Sequence, residues 1–137
     1  MPKILIVDDE LAMRTLLKEL LEGFEDKGVE LLTANNGEEA IESIKAEKPE
    51  LVILDIRMPG MNGFEVCNTL KNRFGMKDVY VLMLTAEAQE FNKQKSKDVG
   101  ADIFMTKPFD PDKLIKKVSN VLDLKDKEWK ITYVLNR

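Results

Sequence analysis

The amino-acid sequence predicts an α/β domain, a five-stranded parallel sheet with helices on both faces. Two observations carry that expectation. Short runs of β-forming residues alternate five times with longer segments of helical period, the pattern of successive βα units. The runs Ile4-Leu5-Ile6-Val7, Leu51-Val52-Ile53-Leu54 and Val79 to Leu84 are apolar almost throughout instead of alternating with polar residues. Strands buried on both faces read this way.

Taken in order, Ile4 to Val7 is a strand that stops at Asp8-Asp9. Met13, Leu16, Leu17, Leu20, Leu21 and Phe24 follow at three- and four-residue spacing, the apolar stripe of an amphipathic helix that Gly28 ends. Val29 to Ala34 reads as the second strand, and Asn36-Gly37 turns the chain into a helix with Ala40, Ile41 and Ile44 inward. Pro49 closes that helix, and Leu51 to Leu54 is a third strand that runs into Asp55. The loop Met58-Pro59-Gly60-Met61-Asn62-Gly63 leads to a helix with Phe64, Cys67, Leu70 and Phe74 inward. Val79 to Leu84 is the fourth strand and ends at Thr85. Glu87 to Val99 is helical by composition, with a thin apolar face of Ala88, Phe91 and Val99. Asp102 to Thr106 is a short fifth strand before Lys107-Pro108. A helix from about Pro111 to Leu122 turns Leu114, Ile115, Val118, Val121 and Leu122 inward. Right-handed crossovers leave few topologies for five such units, and the flavodoxin-like order 2-1-3-4-5 is the natural one.

A length of 137 residues suits one domain. The 44% apolar and 34% charged content excludes a disordered chain. With 21 basic and 25 acidic residues the formal net charge is −4, and the basic residues are scattered, which argues against direct nucleic-acid binding. The single cysteine, Cys67, cannot form an internal disulfide, as expected in a reducing cytosol. The first residues enter a strand without a signal-peptide profile, and no apolar stretch approaches the ~20 residues that span a bilayer. The expectation is a cytoplasmic protein.

In an open parallel sheet, ligands bind beyond the carboxyl ends of the strands. At those ends this sequence places Asp8-Asp9, Asp55, Thr85 and, after the fifth strand, Lys107. Three carboxylates on one edge repel one another unless a cation neutralises them. All-oxygen ligation with no His or Cys nearby suits Mg²⁺. An aspartate beside such a metal can attack phosphorus and form an acyl phosphate. Lys107 can supply a point charge to one phosphoryl oxygen and Thr85 a hydroxyl donor to another.

The set Asp8-Asp9, Asp55, Thr85-Ala86 and Lys107-Pro108, with Met58-Pro59-Gly60 and Gly63 after the central Asp, closely resembles the receiver domain of bacterial two-component response regulators. The resemblance covers residues 3 to about 122. Each dipeptide alone is weak, but together, in order on strand ends, they are specific. The resemblance implies that Asp55 is the phosphoacceptor. It implies Mg²⁺ on Asp8, Asp9, Asp55 and the backbone carbonyl of Arg57, phosphoryl contacts from Thr85 and Lys107, and a switch aromatic at Phe104. It further implies a cis Lys107-Pro108 bond and a sensor histidine kinase as phosphodonor. Catalysis would be limited to the domain's own phosphorylation and dephosphorylation, followed by a switch in a protein-interaction surface.

Plainer readings stand beside these. Asp8, Asp9 or Thr85 can serve as helix N-caps, Lys107 as a solvated lysine, and Phe104 as core. Arg57 and Glu87, two residues after Asp55 and Thr85, either form a surface ion pair worth ~0–1 kcal/mol or screen the attacking water. The rivals are an aspartate-nucleophile phosphatase of the haloacid dehalogenase type and a pseudo-receiver that acts only as an interaction module. The first would carry a second Asp where this chain has Arg57. The intact acidic pair, acceptor and lysine argue against the second.

The expected domain covers residues 1–123, and residues 124–137 form an extension. There Trp129, Ile131, Tyr133 and Leu135 alternate with Lys130, Thr132, Val134 and Asn136, the pattern of an added half-buried strand or the start of a linker. Such a strand would pair with its own sheet, or with a partner in a homodimer. The output protein or domain is not named by the sequence.

Overall fold

The computed structural model describes the backbone of residues 2–135 and the side chains of residues 2–123. Among these residues, β1 (Lys3–Val7), β2 (Glu30–Ala34), β3 (Leu51–Leu54), β4 (Tyr80–Thr85) and β5 (Ile103–Thr106) pair in parallel. Their order is β2-β1-β3-β4-β5, as expected from the crossover rule. The helices are α1 (Leu11–Leu20), a short α2 (Glu22–Glu25), α3 (Gly37–Glu47), α4 (Gly63–Asn68), α5 (Glu90–Asp98) and α6 (Pro111–Leu135).

Successive residues of a strand face opposite sides of the sheet, so the apolar strands feed two cores. Ile4, Ile6, Leu51, Ile53, Leu82 and Leu84 pack with Leu17 and Leu21 of the first helical segment and with Leu114 and Val118 of α6. Leu5, Val7, Val52, Leu54, Val81 and Met83 pack on the other face against Ala40 and Ile44 of α3 and Val66 and Cys67 of α4. Each fully buried aliphatic side chain is worth roughly 1.5–3 kcal/mol. This double burial is why these strands carry almost no polar residue.

Four residues expected inside lie outside, Leu16, Phe74, Ala88 and Phe91, and Ala88 also falls before the first residue of α5. Leu16 is 41% exposed, because α1 buries only the narrow stripe through Leu17, and Leu16 stands at its edge. Phe74 is 36% exposed. After α4 the helix widens into a π turn at Thr69–Arg73, closed by Phe74 N–H to the Thr69 carbonyl at 2.9 Å. The extra residue in that turn shifts the helical phase, and Phe74 falls beneath the Lys45 ammonium, 5.0 Å from its ring centre. Phe91 on α5 is 72% exposed, whereas Ser96 of the same helix is buried. The apolar face of α5 is thus thinner than its sequence indicates.

The expected C-terminal strand is corrected outright, since α6 runs unbroken to Leu135. From Leu122 to Trp129 the chain has no Gly, Pro or β-branched residue. A helix already nucleated propagates through such residues at little cost, whereas an added strand must first find an edge. Burial of Trp129 and docking of the tail fall outside the described side chains.

Candidate functional site

The parallel ladder continues one residue beyond two of the strands. Asp8 N–H donates to the Ala34 carbonyl at 3.3 Å, and Asp55 N–H to the Val7 carbonyl at 3.1 Å. Both aspartates therefore leave the sheet with strand geometry, side by side, and both are buried, at 2% and 7% exposure. The loop after Asp55 folds back onto it. Gly63 N–H donates to the Ile56 carbonyl at 2.8 Å, and a Cβ on Gly63 would stand 2.2 Å from the Asp55 carbonyl oxygen. Only glycine permits that approach. Asn62 and Glu65 then start α4 with a reciprocal capping box.

Lys107 reaches across from the fifth strand. Its Nζ lies 2.6 Å from Asp8 Oδ2 and 3.2 Å from Asp55 Oδ2, joining the two carboxylates. Burial alone would lower the Lys107 pKa, but the hydrogen bond to Asp8 and the Asp55 charge outweigh it and raise it above its ordinary value. Lys107 N–H donates to the Thr85 carbonyl at 2.9 Å, and the Lys107-Pro108 peptide is cis. Asp8 Oδ1 accepts the Glu10 N–H at 2.9 Å. Asp55 Oδ1 is buried with no hydrogen-bond partner among the described residues.

That orphaned oxygen tests whether a cation fits. A buried carboxylate oxygen is costly to leave unpaired, and a hard divalent ion would satisfy it with oxygen ligands alone. Asp8, Asp9 and Glu10 bring carboxylate oxygens within 4.8 Å of one another. The residues present therefore fit Mg²⁺. The tightest carboxylate group contains Glu10 in place of Asp55, which joins it through Lys107.

Of the residues singled out from sequence, Asp8, Asp55 and Lys107 come together directly, and the exposed Asp9 sits at their rim. Thr85 is fully buried, and its Oγ1 accepts the Glu87 N–H at 3.1 Å. It does not cap α5, whose N-cap is Gln89. Arg57 is exposed and pairs with Glu87 at 2.9 Å, closing one side of an open polar cavity of about 320 Å³. Phe104 pairs with Met83, two residues before the Thr85–Thr106 pair on the same strands, and is only partly buried. Sequence reasoning missed Glu10 and Arg14. Glu10 extends the Asp8-Asp9 run and was visible as a third adjacent carboxylate; Arg14 gave no signal beyond its place on the first helix.

A doubly wound sheet with an acidic cluster and a lysine at its carboxyl edge is the arrangement that the receiver resemblance implies. The comparisons make this specific. The chain belongs to the response regulator receiver domain family, whose model matches residues 4–119. It is 42% identical over 120 residues, 88% of this chain, to the alkaline phosphatase synthesis transcriptional regulatory protein PhoP of Bacillus subtilis, of which the match covers 48%. It is 40% identical over 119 residues, 87% of this chain, to the phosphate regulon transcriptional regulatory protein PhoB of Pseudomonas aeruginosa, of which the match covers 51%. The chain thus spans about half the length of these curated relatives. Among solved structures, the Vibrio cholerae chemotaxis protein CheY4 matches with TM-score 0.78 and 36% identity over 88% of this chain and 98% of that one. The response regulator TrrA of Thermotoga maritima, solved in complex with Mg(2+)-BeF, matches with TM-score 0.74 and 39% identity over 88% of this chain and 99% of that one. No described helix is long and apolar enough to cross a membrane.

Proposed function

We propose that this receiver domain accepts a phosphoryl group on Asp55 from a sensor histidine kinase in a Mg²⁺-dependent reaction and then switches a protein-interaction surface. One observation carries the reading. Asp55 is a buried carboxylate with one oxygen paired to Lys107 and the other without a hydrogen-bond partner among the described residues, an arrangement that a cation would complete.

In the transfer, an Asp55 carboxylate oxygen forms a bond to phosphorus as the bond from phosphorus to the donor imidazole nitrogen breaks. Asp8, Asp9, Asp55 and the Arg57 backbone carbonyl would hold Mg²⁺, which would supply charge neutralisation for the phosphoryl oxygens. Lys107 is already charged and positioned between Asp8 and Asp55. Phosphorylation would draw it to a phosphoryl oxygen, and the buried Thr85 hydroxyl would turn to another. Because Phe104 borders the cavity between α5 and β5, a shift of Thr85 can pass to that surface. The sparse burial of α5 makes it an element that moves at small cost.

Residues 1–123 serve as the receiver unit, and residues 124–137 begin the connection to an output element. Two relatives, of which this chain spans about half, are named transcriptional regulatory proteins, and transcriptional control is the output class that this reading favours. The test is intact mass after incubation with acetyl phosphate and Mg²⁺. One phosphoryl mass should appear and vanish on Asp55→Asn; an unlabelled wild type would leave the pseudo-receiver.

A further inference from the structure

The geometry points to Arg14 as a positioning residue of the acidic site, acting on Asp9 through the peptide that joins it to Asp8. This inference rests on the Mg²⁺ site proposed above. Arg14 lies on α1, where its backbone N–H donates to the Glu10 carbonyl at 3.1 Å. Its guanidinium reaches back six residues, and Nη1 donates to the Asp8 carbonyl at 2.7 Å.

Asp8 is thereby held at four points. Its N–H is in the ladder with Ala34, its Oδ1 accepts from Glu10, its Oδ2 from Lys107 and its carbonyl from Arg14. The peptide group is planar, so fixing the Asp8 carbonyl oxygen also fixes the Asp9 nitrogen and the direction in which the Asp9 chain leaves. Asp9 is exposed, and its carboxylate lies within 4.8 Å of those of Asp8 and Glu10. Without Arg14 that peptide could rotate, and Asp9 would have to be ordered when a cation binds.

The choice of an arginine follows from charge. The guanidinium brings a positive charge beside the acidic run Asp8, Asp9 and Glu10. Because its bond goes to a carbonyl, it leaves the carboxylate oxygens to the metal. Lys107 does the opposite, since it occupies Oδ2 of both Asp8 and Asp55. Outer groups that orient metal ligands typically change affinity by about 10–100-fold when removed.

The experiment is Mg²⁺ titration by calorimetry and by thermal shift, on wild type, Arg14→Met, Arg14→Lys and Asp9→Ala. Arg14→Met keeps the stem and removes the donor. It should weaken Mg²⁺ binding about tenfold, with melting in the absence of Mg²⁺ little changed. Arg14→Lys restores one donor and the charge, and it should recover part of the loss. Equal Mg²⁺ affinity in Arg14→Met and wild type overturns the inference. So does an equal loss in Arg14→Met and Arg14→Lys accompanied by lower melting without Mg²⁺, which marks a purely structural role. A silent wild-type titration, or Asp9→Ala binding as tightly as wild type, overturns the Mg²⁺ site itself and the inference with it.

Discussion

Lys71 and Lys107 both set a buried ammonium against aspartate, and they do so at opposite ends of β5. At the amino end, Lys71 Nζ donates to Asp102 Oδ2 at 3.0 Å and to the Lys77 carbonyl at 3.1 Å. The same Asp102 oxygen accepts the Val81 N–H at 2.8 Å. One cation meets one anion, and backbone groups satisfy the rest. At the carboxyl end, one cation is shared by two carboxylates, with Asp9 and Glu10 close by and Asp55 Oδ1 unpaired among the described residues. The first arrangement is closed and staples α4, through its π turn, to the start of β5. The second is open and has room in its charge balance for a divalent ion and a phosphoryl group. Similar residues thus make a closed ion pair at one end of a strand and an open acidic cluster, the proposed phosphoacceptor site, at the other, and the stoichiometry of charge separates them.

The strongest way to break this comparison is at the open end. Asp55→Asn should lose all labelling by acetyl phosphate while Lys71→Met keeps it, as read by intact mass. Labelling of Asp55→Asn at the wild-type level would mean the reactive carboxylate is elsewhere.

Next in size is the response of stability to Mg²⁺. Breaking a fully buried ion pair costs about 3–5 kcal/mol. Lys71→Met should cost somewhat less, on the order of 2–3 kcal/mol, because the Asp102 side chain is 33% exposed and water screens it. Mg²⁺ should not restore this loss. Lys107→Ala should also be destabilised without Mg²⁺, since Asp8 and Asp55 then face each other uncompensated, but saturating Mg²⁺ should return most of the loss. Urea denaturation with and without Mg²⁺ separates the two, and equal Mg²⁺ rescue of both variants would erase the distinction.

A smaller effect reports on the closed end. Burial pushes the Cys67 thiol up to about 12, against a weaker downward pull from Lys71. Its Sγ donates to the Val99 carbonyl at 3.5 Å. A thiol reagent at pH 8 should therefore react with Cys67 only through local opening. Lys71→Met should speed that reaction by about tenfold or more, in line with its cost in stability, and Lys107→Ala should leave it nearly unchanged. The reverse order would place the closed ion pair at the wrong end.

The smallest expected effect concerns pH. The folded-state pKa of Lys107 is raised above the ordinary 10.5. Its stabilising contribution is therefore fully present below that ordinary value and fades as pH rises through the raised folded value. The stability difference between wild type and Lys107→Ala should be flat across neutral pH and shrink only in strong alkali. A change near pH 7 would mean another group titrates in the site.

Much of the site was legible because its chemistry sits where strands end. A fully apolar strand that stops at Asp55, and another that stops at Asp8-Asp9, needs no partner sequence to be noticed. The roles of Gly63 and Arg14 were not legible in the same way. Gly63 matters because Asp55's own backbone lies where a side chain would go. Arg14 matters because the first helix returns it to the strand it follows. Such contacts depend on how two elements approach, which local pattern does not encode.

By itself, the sequence determined the βα alternation, the strand order and the polar set at the carboxyl edge. The alternation and the polar edge follow from periodicity and from the place where apolar runs end, which are properties of short segments. Crossover handedness left few strand orders, among which the observed one was the natural choice. Only the tertiary structure decided that Lys107 would be shared between Asp8 and Asp55 while Lys71 closed on Asp102. It also turned Phe74 and Phe91 outward and carried α6 on as a helix to Leu135. An alternating tail can be strand or helix according to what precedes it, and here a helix was already running. In the same way a lysine closes a single ion pair or bridges an open acidic cluster according to how many carboxylates the fold brings within its reach.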